Sequence, residues 1–254
     1  MLRTRNILVD RGNSYCKVTL SDNGVLSEQR LFHKLSQADL VHLCDVSPNT
    51  SLRALYCAVG SPEKEVIDFL REHCSFFLYL DEKTEVPLKE IHYQRGQLGA
   101  DRIALAVGAY DVAPSGHEIL VIDIGTAITY ERISSEGVYL GGNISPGPLT
   151  RSISLHQATA KLPEVTLSPN YAEWGNTTEG AIIAGIMEGI LFEIEGYCNR
   201  MREKHPQPTI LLTGGYAYYF ADKLKNVTFV EPNLVMKGLD KLLEYNVQTA
   251  QTKK

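Results

Sequence analysis

No apolar run in the sequence is long enough to span a bilayer. Its opening residues, MLRTRNILVD, enter a strand-like run without the apolar segment of a signal peptide, so a cytoplasmic protein with no membrane partner is expected. Cysteine is sparse. Cys16, Cys44, Cys57, Cys74 and Cys198 are odd in number and scattered, and none forms a CxxC pair. That excludes a disulfide framework and a cysteine-based zinc site, and implies reduced, mostly buried thiols. The seven histidines include no HxH or HxxxH pair, which removes a histidine-based metal centre. Neither G-x-x-x-x-G-K-[ST] nor G-x-G-x-x-G occurs, so the chain is neither a P-loop NTPase nor an obvious dinucleotide-binding Rossmann enzyme. Ser14 and Ser145 lack the context of a nucleophile elbow. Positive charge is also short. Lys and Arg total 25 against 30 Asp and Glu, for a net charge of -5. A broad nucleic-acid surface needs clustered cations and is not expected, whereas a small basic pocket for phosphate remains compatible.

What is present suits a folded α/β protein. With 254 residues and 44% hydrophobic content, the chain can bury one large core or two modest ones. Asn6 to Asp10 reads as a buried strand. Tyr15 to Leu20 and Val25 to Phe32 alternate as antiparallel strands around the turn SDNG. Gln37 to Cys44 has helical spacing, and Leu52 to Val59 is another strand. The stretch GSPEKEVIDFLREH starts a helix with Ser61 as cap and Pro62 in the first turn. Ala100 to Tyr110 is a helix entered through Gly99. After DVAPSGHE the pattern restarts, with strands at Ile119 to Ile124, Ile128 to Ile133 and Val138 to Ile144. Helices follow at Leu149 to Leu162 and Glu179 to Met201, then a short strand, Ile210 to Leu212, ending in TGG. A last helix runs from about Leu234 to Tyr245, followed by a polar tail.

The second half therefore repeats the opening of the first. VDRGNSYCK and IDIGTAITY share an Asp, a Gly two residues on, and small or hydroxyl-bearing residues. An internal duplication is the simplest account. It predicts two similar α/β domains, 1–113 and 114–254, facing each other across a cleft.

Each repeated turn combines groups that suit phosphate. A strand-end carboxylate such as Asp10 holds a hydrated Mg²⁺ directly or through water. Gly12 lets the backbone turn tightly and bring its N–H groups close to an anion. Asn13 and Ser14 add donors, and Lys17 adds positive charge. Asp123, Gly125 and Thr126 repeat the arrangement. Either turn alone is equally an ordinary hairpin with Asp and Gly in their usual roles. Two copies in matching contexts point to paired loops gripping one nucleotide.

This pairing resembles the superfamily of acetate and sugar kinases, heat-shock chaperones and actin. The resemblance implies two actin-like (ribonuclease H-like) domains. Further motifs narrow it. QLGADRIALAVGAY (Gln97 to Tyr110) resembles the G-x-D-R element of type III pantothenate kinases. GGNISPGPLTRSISLHQATAKLP (Gly141 to Pro163) resembles their G-G-x-I-x-P-G segment and the helix after it. GNTTEGAIIAGI (Gly175 to Ile186) and LLTGGYA (Leu211 to Ala217) are similar to their substrate-threonine segment and adenosine-side turn. The motifs follow family order along almost the whole chain.

The resemblance implies roles for individual residues. Asp101 is implied as the general base that takes the proton of the acceptor hydroxyl; on its own it is equally a carboxylate complementing a helix N-terminus. Arg102 is implied to bind the pantothenate carboxylate, for which a guanidinium fork is suited. Tyr93, Gly99, Ala100 and Thr178 are implied to line the pantothenate pocket, with Thr177 as the neighbouring alternative. Asp123 is implied to lie beside a monovalent cation, K⁺ or NH₄⁺, with Thr126 on phosphate and Gly214 and Gly215 admitting the adenosine. One residue departs from the family: an aliphatic side chain usually follows the first Asp, and here Arg11 does. A charge there either adds a phosphate contact or pairs with a carboxylate.

The expected protein is thus a homodimeric kinase moving the γ-phosphoryl group of ATP to pantothenate, with Mg²⁺ or another divalent cation and a monovalent cation. The alternatives are another small-molecule kinase of the superfamily and a non-catalytic nucleotide-binding regulator. The intact set of Asp10, Asp101 and Asp123 speaks against the regulator.

Overall fold

A computed structural model describes residues 3–44, 50–225 and 227–253. In chain order the strands and helices are β1 (Arg3–Arg11), β2 (Cys16–Asp22), β3 (Val25–Leu26), β4 (Arg30–Phe32), α1 (Gln37–Cys44), β5 (Thr50–Ala58), α2 (Lys64–His73), β6 (Phe76–Tyr79), β7 (Glu90–Ile91) and α3 (Ala100–Val112). They continue with β8 (Ile119–Ile124), β9 (Ala127–Ile133), β10 (Val138–Pro146), α4 (Pro148–Gln157), α5 (Thr178–Lys204), β11 (Thr209–Thr213), α6 (Ala217–Ala221), β12 (Phe229–Val230) and α7 (Leu234–Thr252).

Contacts divide the chain into two units, Met1–Val112 with Asn233–Lys254, and Ala113–Pro232. The sequence places everything after residue 113 in one second domain; instead α7 returns to the first unit and packs on its α3, β1 and β5.

In the first unit the sheet order is β3-β2-β1-β5-β6, with β4 also on β2. β1 lies antiparallel to β2 and parallel to β5. It is covered on both faces, and strand alternation divides its side chains between two cores. Ile7 and Val9 join Leu40 of α1 and Val66, Phe69 and Leu70 of α2. Leu8 points the other way, to Ala104 and Val107 of α3 and Leu239, Leu242 and Leu243 of α7. Full burial of each such aliphatic side chain contributes about 2 kcal/mol. The turn between β2 and β3 is the expected one, with Asn23 and Gly24 both at positive φ. Helix α2 starts later than expected. Its cap is Glu63, whose side chain makes no capping hydrogen bond, so Ser61 and Pro62 lie ahead of the helix.

The second unit repeats the arrangement: its strands run β10-β9-β8-β11-β12, with β8 antiparallel to β9 and parallel to β11. Four isoleucines of α5 at four-residue spacing, Ile182, Ile186, Ile190 and Ile194, form the stripe that packs on Ile122, Ile128 and Leu212 of this sheet. Helix α4 stops at Gln157 rather than Leu162, where the Thr159 hydroxyl bonds back to the Leu155 carbonyl. Two α/β units of like strand order bear out the expected actin-like duplication. Among the described residues, no helix is long and apolar enough to cross a membrane.

Candidate active site

The alternation that sends Leu8 toward α3 sends Asp10 the same way, two residues on. Asp10 ends up 6% exposed. Its strand partners are Lys17 on β2 and Cys57 on β5. The Lys17 Nζ stands 4.0 Å from Asp10 Oδ2. Burial pushes the Asp10 carboxyl up to about 6; Lys17 pulls against that, and Asp101 adds to it. The Cys57 thiol is raised by burial, and further by Asp10 and Asp101. Asp10, Asp101, Cys57 and Lys17 are therefore one electrostatic cluster at the N-terminal end of α3.

Asp101 sits in the first turn of α3, where its Oδ1 accepts a hydrogen bond from the Arg102 N–H at 2.8 Å. A Cβ on Gly99 would lie 2.6 Å from that oxygen, so the missing side chain makes room for the carboxylate. Arg102 is 6% exposed, and its guanidinium lies 5.5 Å from the centre of the Tyr93 ring. Ala100 opens the helix between Gly99 and Asp101.

The turn after Asp10 is closed by the Gly12 N–H donating to the Tyr15 carbonyl at 3.0 Å. Asn13 and Ser14 are exposed at its tip. A residue unremarked in the sequence shapes this turn: a Cβ on Gly60 would stand 2.9 Å from the Gly12 carbonyl oxygen. Its signal was a glycine directly after a strand. Arg11 resolves its two alternatives in favour of a carboxylate. Its Nε lies 3.2 Å from Glu63 Oε1, out of line for a hydrogen bond, and its Nη1 donates to the His33 carbonyl at 3.1 Å.

The second unit has a matching turn. The Gly125 N–H donates to the Ala127 carbonyl at 3.0 Å, as Gly12 does to Tyr15, in a loop one residue shorter. Gly147 closes on it, and a Cβ there would lie 2.0 Å from the Gly125 carbonyl oxygen. The Thr150 hydroxyl also donates to the Thr126 carbonyl at 2.6 Å, and Thr126 is exposed at the tip. Gly214 takes φ +91, and a Cβ there would stand 2.3 Å from Asp123 Oδ1. Only glycine satisfies both the conformation and the approach. Gly215 is exposed beside it. Asp123, Gly125, Thr126, Gly147 and Gly214 are thus gathered at one end of this sheet.

Thr178 is the first residue of α5, and Thr177 caps it by accepting from the Gly180 N–H at 3.0 Å. With its neighbour engaged, Thr178 lines a groove with Arg151, Leu155 and Ile182. Among the described residues, no three His, Cys, Asp or Glu side chains are grouped to hold a metal ion. A divalent cation here would take one or two protein carboxylates and complete its shell with substrate oxygens and water. Asp10 fits that use, being a buried carboxylate whose charge Lys17 offsets only from 4.0 Å.

Residues 6–200 match the family model described as type III pantothenate kinase. A type III pantothenate kinase of Porphyromonas gingivalis is 44% identical over 246 residues, covering 95% of this chain and 99% of the relative. One of Bacteroides fragilis is 39% identical over 241 residues, covering 95% and 98%. Among solved structures, a Baf family protein from Campylobacter jejuni aligns with a TM-score of 0.60 at 21% identity, over 95% of this chain and 99% of that one. The activator of 2-hydroxyisocaproyl-CoA dehydratase from Clostridium difficile, solved with ADPNP, aligns at 0.57 and 11% identity over 98% of each chain. At those identities the two structures establish the fold alone. The sequence relatives and the family model go further: this chain belongs to the type III pantothenate kinase family.

Proposed function

We propose that the chain catalyses ATP-dependent phosphorylation of pantothenate to phosphopantothenate, the first step of coenzyme A synthesis, with Asp101 as the base. The observation that carries the residue roles is the cluster at the start of α3. There, two carboxylates, Asp10 and Asp101, are close enough to act on each other's charge, with the Arg102–Tyr93 pair beside them. Full-length likeness to kinases of one name supplies the reaction.

In this reading Arg102 and Tyr93 take the carboxylate end of pantothenate, together with Gly99, Ala100 and Thr178. Asp101 accepts the proton of the terminal hydroxyl as its oxygen bonds to the γ-phosphorus, and the bond from that phosphorus to the bridging oxygen of ADP breaks. The backbone N–H groups of the Gly12 and Gly125 turns, with Asn13, Ser14, Lys17 and Thr126, hold the phosphates. Gly214 and Gly215 leave room for the adenosine. When bound, Mg²⁺ at Asp10 supplies positive charge to the β- and γ-phosphates, and K⁺ or NH₄⁺ near Asp123 supplies more. Catalysis rests mostly on positioning and electrostatic stabilisation.

The active form is a cytoplasmic homodimer. Supporting the dimer, Ile144, Leu149 and Phe192 are 62%, 51% and 63% exposed on β10, α4 and α5. Glu193 ties those three elements together by accepting from Ser145 and pairing with Arg151. An exposed apolar set on so rigid a base suits a second copy.

The test is phosphopantothenate formation by the purified protein with ATP and Mg²⁺, in K⁺ and again in Na⁺. Turnover that depends on pantothenate and K⁺ is expected. Absence of turnover from a folded, ATP-binding protein would refute the substrate assignment, and equal rates in Na⁺ would refute the cation.

A further inference from the structure

We infer that Arg11, Glu63 and Tyr56 form a buried brace beneath the first phosphate turn, and that Arg11 is a positioning residue for nucleotide rather than a phosphate ligand. This rests on the kinase reading above.

Arg11 is the last residue of β1 and precedes Gly12, so strand alternation turns its side chain away from Asp10 and toward the α1/α2 side of the sheet. There it meets Glu63 at 3.2 Å, with side-chain exposures of 16% and 6%. The other Glu63 oxygen accepts from the Tyr56 hydroxyl at 2.5 Å, and that hydroxyl in turn accepts from the Glu63 backbone N–H at 3.2 Å. Tyr56 is fully buried in β5 and stacks on Tyr79. The anchor is therefore rigid.

Two routes lead from Arg11 to the turn. The Arg11 carbonyl accepts from the N–H groups of Val59 and Gly60, and Gly60 lies against the Gly12 carbonyl. The Arg11 guanidinium holds the His33 carbonyl, and the His33 ring packs on Tyr15, which closes the turn at 4.7 Å between ring centres. The Arg11 main chain thus holds the Gly12 end of the turn, and the Arg11 guanidinium holds the Tyr15 end by way of His33. A guanidinium fixed this way is not pointing at a ligand. A buried ion pair is strongly weakened by removing one partner, because the other charge is stranded, whereas replacing both with apolar groups is often neutral. That asymmetry separates a brace from a ligand.

The experiment compares native protein with Arg11→Ile, Glu63→Gln, Tyr56→Phe and the double variant Arg11→Ile/Glu63→Leu. Direct ATP titration is run without acceptor, alongside pantothenate KM and thermal melting. Arg11→Ile and Glu63→Gln should each weaken ATP binding by about tenfold, with pantothenate KM unchanged; the double variant, which strands no charge but still lacks the His33 contact, should recover part of that loss. Tyr56→Phe, the mildest change, should weaken ATP binding a few-fold. Should a single variant fail to fold, the double variant and Tyr56→Phe still decide. Loss of ATP affinity in both Arg11 variants, with Glu63→Gln and Tyr56→Phe like native, would make Arg11 a direct ligand and overturn the brace. Lower melting temperatures with unchanged ATP affinity throughout would overturn it too. A native chain that binds no ATP would refute the kinase reading and this inference together.

Discussion

Gly238 of α7 meets Ala104 of α3 so closely that a Cβ on Gly238 would lie 1.8 Å from the Ala104 carbonyl oxygen. The contact is reciprocal, since a Cβ on Gly108 would stand 2.4 Å from the Leu234 carbonyl oxygen. Both obstacles are backbone and cannot swing aside. Gly238→Ala should therefore destabilise the protein by about 3 kcal/mol or more. Gly196→Ala, in exposed helix with nothing within 4 Å, should instead add about 0.5–1 kcal/mol. Urea unfolding of the two variants checks both signs, and equal stability would refute the close crossing.

Asp101→Asn should reduce kcat by about 10²–10⁴ while leaving pantothenate KM and the melting temperature near native. The amide oxygen still accepts from the Arg102 N–H, the bond that the carboxylate makes now. Steady-state kinetics with both substrates decide the matter. A raised KM at native kcat would mean that Asp101 binds rather than reacts.

Arg102→Lys keeps the charge but loses the planar fork and its stacking on Tyr93. The expected result is a rise in pantothenate KM of about tenfold or more with ATP KM unchanged. An unchanged pantothenate KM would remove Arg102 from the acceptor site.

Asp10 gives a pH signature. Its folded value of about 6 stands above the ordinary 3.8, chiefly through burial, so between those values the folded state holds the proton that the unfolded state has released. Stability must fall as pH rises through that window, and level off above it. In metal-free buffer, Asp10→Asn should match native near pH 4 and exceed it above pH 6 by on the order of 3 kcal/mol. Its kinase activity should be lost. Denaturation across pH in EDTA measures the difference, and a stability gap that widened toward low pH would show the sign to be wrong.

Much of this was legible in the sequence where a local pattern and a global role coincide. β1 and β8 are apolar runs closed by Asp-x-Gly, and both place the Asp beside a helix or glycine turn as the repeat implied. Where a distant partner decides, the pattern failed. Ser61 looked like the cap of α2, but Tyr56 and Arg11 hold Glu63 and the helix starts at Lys64. Arg11 showed only that it needed a partner. The polar tail after Tyr245 reads as lying beyond the last helix, yet the Thr249 and Thr252 hydroxyls bond back to the carbonyls four residues earlier and the helix continues. The home of α7 was hidden as well. Nothing local marks Gly108 and Gly238 as partners; the crossing that needs them involves residues more than a hundred positions apart.

That same return of α7 sets an order of assembly. On the ribosome, every residue of Ala113–Pro232 emerges before α7 does. The middle of the chain can therefore consolidate first, while Leu8, Leu55 and Ala104 wait for Leu239 and Leu243 to close over them. The unit begun first is completed last, and a nascent chain stalled before Asn233 carries an open apolar face for chaperones to guard.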